Sequence, residues 1–288
     1  MKNTGISIII PTYNREKLII NTINSILEQT SVLWECIIVD DKSTDNTKMV
    51  VEKFMTIDDR IKYFVNVHKK GAQGARNTGV EQAKFDWVLF FDSDNLLHKD
   101  FIEKMIVQIK NGVDVIKCAS DIVDVNKGST GRVMYNPCNG DIHNSLFDGS
   151  CYVDFNQAII RKEKVFEIGL LDEYCPSMQE WDTHIRLSNT CIYRSIDDIL
   201  VDYFIGGKDA ISSDNRREVR GRMYILSKHI NEWRQKKVES THFCAEIIRL
   251  SLRTKSIGYI CKTVCKILAM CPYILYYVPY LKIRNIFI

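Results

Sequence analysis

Trp87–Asn95 reads WVLFFDSDN. Five apolar residues, Trp87 to Phe91, lead directly into Asp92, Ser93 and Asp94. A short run rich in aromatic and branched residues has the length and content of a buried strand. A buried strand that ends on two carboxylates one position apart points to a demand for negative charge at that end.

Outward from this strand the first half of the chain alternates. Ile6–Ile10, Cys36–Val39, Ile61–Val65 and Val113–Cys118 are further short apolar runs. Between them, Leu18, Ile19, Ile23, Ile26 and Leu27 recur at helical spacing, and Ser43–Asn46 supplies capping residues for a second helix. Strands alternating with helices predict an α/β fold with a mostly parallel central sheet flanked by helices. Ligands of such sheets bind beyond the carboxyl ends of the strands. The residues found there are Pro11–Arg15, Asp40–Asp45 and Asp92–Asp94. Asp40, Asp41, Asp92 and Asp94 are thus expected on one sheet edge, where like charges repel unless a cation lies between them.

The 288 residues are 45% hydrophobic, enough for a sizeable core, and a net charge of +3 gives no argument for a nucleic-acid partner. The expected organisation is one domain over 1–237 and a helical, basic and apolar extension over 238–288. The opening MKNTGISIIIPTYN has no signal-peptide pattern. The ten cysteines include no Cys-x-x-Cys pair, so they read as reduced, mostly buried thiols of a cytosolic protein. No zinc or histidine metal motif is present. From Ala119 to Gly149 the pattern weakens among turn signals, which predicts an irregular loop. Val153–Arg161, a helix over Gln179–Leu187 and a basic helical stretch over Asn215–Lys237 follow.

After Glu246 no acidic residue remains, against seven basic ones: Arg249, Arg253, Lys255, Lys262, Lys266, Lys282 and Arg284. Ile267–Leu281 is apolar but shorter than the ~20 residues that span a bilayer. Two readings stand: a segment lying on an anionic membrane surface, or a helix packed on the core with a solvated basic face. Upstream, the loop Gly206–Ser213 feeds a helix with Arg216, Arg217, Arg220 and Arg222. These either clamp an acceptor diphosphate or form a solvated face.

The Asp92–Asp94 pair offers hard oxygen ligands of the kind that suit Mg²⁺ or Mn²⁺, and an ion so held can bridge a diphosphate. SIIIPTYNRE, IIVDDKSTDNT, GAQGARNTGV, WVLFFDSDN and QEWDTHIRLS occur in the order and spacing of the family 2 glycosyltransferases, over Ser7–Ser188. The resemblance implies the GT-A nucleotide-sugar-binding fold. It implies that Tyr13 stacks on the nucleotide base, that Pro11 gives backbone contacts and that Asp41 accepts from the uracil N–H. It places Arg76 near the diphosphate, Asp92 near the ribose or the metal, and Asp94 on Mn²⁺ or Mg²⁺. Beside these stand plainer roles: Tyr13 in the core, Asp41 as a helix cap, Arg76 in a structural ion pair. The chain departs from the family at Asp41-Lys42-Ser43, where a glycine is usual after the aspartates, and at Asn95, where an aspartate is usual.

Glu180 matches the family's general base, the group that takes the proton of an attacking sugar hydroxyl. Trp181 is expected to desolvate it, His184 at i+4 to orient it, and Asp182 to be its local competitor. One base, one metal and no covalent nucleophile imply a single displacement that inverts the anomeric carbon. The implied reaction moves a hexose, glucose or galactose, from a UDP-sugar to a polyprenyl-diphosphate-linked acceptor such as N-acetylglucosamine-diphosphoundecaprenol. A β-1,3 linkage in O-antigen or capsule synthesis, at the cytoplasmic face of the membrane, is the expected setting. A donor carrying N-acetylhexosamine or rhamnose, and a non-catalytic nucleotide-sugar or glycan-binding protein of an assembly complex, are the alternatives. A sugar nucleotidyltransferase would want a glycine-rich cradle where Pro11-Thr12-Tyr13 stands.

Overall fold

Strand β1 (Ile6–Thr12) lies between two parallel neighbours, β2 (Trp34–Asp40) and, beyond helices α1 (Ile19–Leu27), α2 (Thr47–Met55) and α3 (Ala72–Gln82), β4 (Trp87–Phe90). β3 (Ile61–Val65) extends this group on β2, again parallel. Every residue of β2 and β4 is buried, as expected for parallel strands covered on both faces. The computed structural model describes residues 4–206 and 214–276. The loop expected over Gly206–Ser213 therefore lies almost wholly outside the described residues, as do Lys282, Arg284 and the end of Ile267–Leu281.

The second half makes the sheet mixed. Past β5 (Leu96–Leu97) and α4 (Phe101–Ile106), β6 (Val115–Asp124) begins where an apolar strand is expected but runs six residues beyond Cys118. Ala119–Gly149 is not the predicted irregular loop. It carries the end of β6, the antiparallel β7 (Gly128–Met134) and helix α5 (His143–Asp148). β7 is an edge strand, GSTGRVM, exposed along nearly its whole length, so no apolar period marks it. β8 (Ala158–Arg161) runs antiparallel to both β4 and β6, joining the two halves. After α6 (Lys162–Glu167) and α7 (Gln179–Leu187), β9 (Tyr193–Ile205) pairs parallel to β6, and β5 pairs antiparallel to β9. The order is β3-β2-β1-β4-β8-β6-β9-β5, with β7 on β6.

Cys138 and Cys151 form a disulfide across 13 residues, which corrects the expectation of ten reduced thiols. The other eight are free, all buried except Cys261 and Cys265. Spacing alone hides the pair, because the strand pairing of Gly140 with Tyr193 and helix α5 bring the two ends of this loop together. The cysteine argument for a cytosolic setting lapses with it.

The basic stretch Asn215–Lys237 divides into α8 (Asn215–Lys228), α9 (Ile230–Gln235) and the start of α10 (Lys237–Leu252), followed by α11 (Ile257–Met270). Asp214 caps α8, accepting from the Arg216 and Arg217 N–H groups. Trp233 of α9 stacks flat on Phe243 of α10 at 4.6 Å, and Trp181 of α7 meets both rings edge-on. The core thus continues from α7 into α10. Among the described residues, no helix is long and apolar enough to cross a membrane.

Candidate active site

The carboxyl ends of β1, β2 and β4 form one rim. The turns after β1 and β2 are laced together. Asn14 N–H donates to Ser43 Oγ at 2.8 Å, Thr44 N–H to Asn14 Oδ1 at 2.8 Å and Arg15 N–H to Thr47 Oγ1 at 2.9 Å. Lys42 takes the left-handed conformation at φ 67°, so the backbone shape that favours glycine persists with a lysine there.

Asp40 and Asp41 do not wait for a cation, which corrects the expectation that all four aspartates repel. Asp40 accepts from Ser43 N–H and hydroxyl and from the Tyr63 hydroxyl at 2.6 Å. Asp41 accepts from Asn66 Nδ2 at 2.6 Å and from Gly71 N–H at 2.8 Å. It does not cap α2, whose first residue, Thr47, donates its N–H to Asp45 Oδ1 at 3.0 Å. Tyr13 is 43% exposed, so it is not a core residue, and Lys70 Nζ sits 4.7 Å from its ring centre. Pro11 lies beside Val39 in the β1–β2 register, at the rim.

The GAQGARNTGV segment builds α3, which closes on the sheet because a Cβ at Gly79 would stand 2.3 Å from Ile9 Cγ2. That approach buries Arg76 and aims it across the rim. Arg76 Nη2 donates to Asp92 Oδ1 at 2.7 Å and Nη1 to Gln73 Oε1 at 2.8 Å. The second Asp92 oxygen accepts from Asn156 Nδ2 at 2.9 Å. The Asp94 side chain is exposed at the rim, within electrostatic reach of Arg15. There the surrounding protein first, and the Asp92 charge second, push its carboxyl up to about 6, against the pull of Arg15. Asn95 is not available to a metal. It is buried, and its Oδ1 accepts from Phe204 N–H at 3.0 Å.

No group of three or more His, Cys, Asp or Glu side chains among the described residues is placed to hold a metal. The donor set still fits one class of ion. Asp94, an exposed carboxylate beside Asp92, offers the hard oxygen that suits Mg²⁺ or Mn²⁺, ions that keep several waters.

Glu180 is the second residue of α7, whose cap position is Met178, left-handed at φ 59°. It lines a cavity of about 190 Å³ with Tyr152, Ser177, Met178, Trp181, Arg217 and Glu218. Burial and the nearby Asp154 charge push its carboxyl up to about 7, against Arg76. Trp181 lies beside it as expected, its indole N–H held by Leu146 O at 3.1 Å. His184 does not orient it. One turn deeper, His184 is fully buried, its Nδ1 paired with the Tyr193 hydroxyl at 3.0 Å, and burial pushes it down to about 3. Asp182 faces away from the cavity and accepts from His229, Lys228 and Arg186 at 2.9, 2.9 and 3.1 Å. Burial opposes its ionised form, yet those donors hold its pKa below the usual carboxylate range. Of the four arginines on α8, Arg217 lines the cavity, while Arg222 pairs with Glu218 at 2.8 Å.

A model of "Glycosyl transferase family 2" matches residues 7–169. The chain belongs to glycosyltransferase family 2. Over 122 residues it is 38% identical to UDP-Glc:alpha-D-GlcNAc-diphosphoundecaprenol beta-1,3-glucosyltransferase WfgD of Escherichia coli, covering 42% of this chain and 47% of that one. Over 108 residues it is 39% identical to a Campylobacter jejuni GalNAc(5)-diNAcBac-PP-undecaprenol beta-1,3-glucosyltransferase, covering 37% and 35%. The chain thus spans less than half the length of these relatives. Among solved structures, Staphylococcus aureus TarS 1-349 in complex with UDP-GlcNAc superposes with a TM-score of 0.62 at 17% identity, over 96% of this chain and 92% of that one. The mannosyltransferase PcManGT of Pyrobaculum calidifontis, in complex with GDP-Man and Mn²⁺, gives 0.62 at 16% identity over 99% and 85%. The fold is GT-A.

Within this family 2 chain the structure brings Arg76, Asp92 and Asp94 together, with Glu180 across the cleft and Pro11, Tyr13 and Asp41 along the rim. Sequence reading missed Asp154 and Asn156. They lie more than 60 residues from Asp92 in a segment with no motif, and only the β4–β8 pairing carries them to it.

Proposed function

We propose that the chain transfers a hexose, glucose or galactose, from a UDP-sugar to a lipid-diphosphate-linked sugar, with inversion. The observation that carries this reading is the position of Glu180, which lines a cavity within electrostatic reach of Asp92 and Arg76. Tyr13 and Asp41 hold the base and the laced β1 and β2 turns hold the ribose side. Arg76 supplies positive charge by the diphosphate. Asp94 would hold a divalent ion, which would supply positive charge at the diphosphate. The acceptor hydroxyl enters from the cavity and loses its proton to Glu180. Its oxygen bonds to the anomeric carbon as the bond to the diphosphate oxygen breaks.

The cavity is smaller than the ~300–1,000 Å³ of drug-sized pockets, which suits one sugar ring against Trp181 and Tyr152. Arg217 on its wall suits the acceptor diphosphate. The names of the relatives support a β-1,3 linkage to an undecaprenyl-diphosphate-linked sugar in surface-polysaccharide synthesis. An anionic membrane surface is the setting this acceptor requires, and α11 supports it. Ile257, Cys261, Lys262, Cys265 and Lys266 are all exposed along it, and no acidic residue follows Glu246. In this reading α11 is the membrane-facing element, while α10 packs into the core of the catalytic domain.

The test is nucleoside diphosphate release with Mn²⁺, a panel of UDP-, GDP- and dTDP-sugars and a synthetic N-acetylglucosamine-diphosphate-lipid. Release with UDP-glucose or UDP-galactose that needs the acceptor supports the reading. Donor binding without turnover on any acceptor moves the chain to a nucleotide-sugar-binding role.

A further inference from the structure

Asp92 is held from three directions. Two of its bonds come from one side chain that no motif contains. Asn156 Oδ1 accepts the Asp92 N–H at 2.8 Å, and Asn156 Nδ2 donates to Asp92 Oδ2 at 2.9 Å. The same Nδ2 donates to Asp154 Oδ1 at 2.8 Å, and Asp154 Oδ1 also accepts the Asn156 N–H at 2.8 Å. Asn156 is 2% exposed and Asp154 6% exposed. Both sit on the single 3₁₀ turn Phe155–Gln157 and its cap, just before β8.

Only an amide satisfies this arrangement. The position needs an acceptor toward the Asp92 N–H and a donor toward two carboxylates at once. A flipped amide would set its oxygen against both carboxylates, so Asp154 fixes which way Asn156 points. Arg76 Nη2 holds the other Asp92 oxygen, and its guanidinium lies 4.9 Å from the Phe155 ring of the same turn. The turn therefore ties the strand-end carboxylate of the donor half to the half that carries Glu180, and the Asp154 charge acts on Glu180 itself.

We propose that Asn156 is a positioning residue that fixes the rotamer and strand-end backbone of Asp92, and that Asp154 acts through it by fixing its amide. The proposal rests on the transferase reading for its kinetic consequence. The base, the uracil and Asp94 contacts of the donor lie elsewhere, so loss of the clamp affects the reacting geometry more than donor binding.

The experiment compares Asn156→Ala, Asn156→Asp, Asp154→Ala and Asp154→Asn with wild type. Each is followed by kcat and donor KM on the high-pH plateau and by hydrogen exchange of the peptide containing the Asp92 amide. Asn156→Ala is expected to lower kcat about 10- to 100-fold, the range typical of lost support to a site carboxylate. Its donor KM should change less than about threefold, and its Asp92 amide should exchange faster. Asn156→Asp keeps the acceptor and loses the donor, so it should show the same kcat loss even if the alanine variant does not fold. Asp154→Asn keeps an acceptor oxygen and should retain most of the activity that Asp154→Ala loses. The double alanine variant should be no worse than Asn156→Ala alone. Wild-type kcat in either Asn156 variant, or additive losses in the double variant, would overturn the proposal. If wild type turned over no donor, the transferase reading would fail, and unchanged exchange at Asp92 would still overturn the clamp separately.

Discussion

Glu180 and Asp182 stand two residues apart on α7 and do opposite work. Glu180 opens on the cavity and is held toward its neutral form, whereas Asp182 is fully buried and held ionised by Lys228, His229 and Arg186. Successive residues of a helix point about 100° apart, so a two-residue step places them on different faces. Replacing each should separate chemistry from stability. Glu180→Gln should lower kcat by about 10²- to 10⁴-fold, the usual contribution of a general base, without lowering the melting temperature. Asp182→Ala should destabilise the fold by about 3–5 kcal/mol, because three cationic or basic groups lose their shared partner. Thermal unfolding and initial rates on the same two variants check both statements.

The pH profile follows from the raised Glu180 carboxyl. A base works when deprotonated, so kcat/KM should rise with pH and level off above about 7. Asp154 and Asp92 raise this group and Arg76 lowers it. Asp154→Asn removes one raising charge, so the acidic limb should move to lower pH. The stability sign runs the other way from a paired carboxylate. The folded state holds this proton more tightly than the unfolded chain. Glu180 therefore costs stability as pH rises from the ordinary carboxylate range through about 7, and Glu180→Gln should be at least as stable as wild type above that. Rates and chemical denaturation from pH 5 to 9 test both.

Arg76 is buried, and its fork reaches Asp92 and Gln73 from two nitrogens. A lysine there offers one point charge in place of the fork. Arg76→Lys should therefore weaken kcat/KM for the donor by at least about tenfold, with Arg76→Ala lower still. A lysine variant with wild-type kcat/KM would show that the fork geometry is not needed.

Reduction of Cys138–Cys151 should lower stability by about 3 kcal/mol, as expected for releasing a loop of this length. Tyr152, which lines the cavity, directly follows Cys151, and its carbonyl is held by buried Lys117. Acceptor KM should thus rise on reduction more than donor KM. Denaturing thiol titration before and after reductant should count eight and ten thiols.

The parallel half of the sheet was legible because buried runs such as Cys36–Val39 and Trp87–Phe90 are apolar on both faces and lead into polar turns. β7 was not legible, since an exposed edge strand of Gly, Ser, Thr and Arg has no apolar period. Among the site residues, Asp92, Asp94, Arg76 and Glu180 sit in short motifs whose spacing survives in the fold. The roles of Asp40 and Asp41 depend on Tyr63, Asn66 and Gly71, which a linear reading does not bring beside them. His184 lies on the same helical face as Glu180 by spacing. Tyr193, nine residues on in β9, captures it instead. Asp154 and Asn156 carry no signal at all until β8 pairs with β4.

The central claim is a single displacement with Glu180 as base, and the anomeric configuration of the product tests it most directly. Proton NMR of the disaccharide made from an α-linked UDP-hexose should show a β linkage, with transfer by Glu180→Gln slowed at least about 100-fold. An α-linked product, or full transfer by that variant, would contradict it.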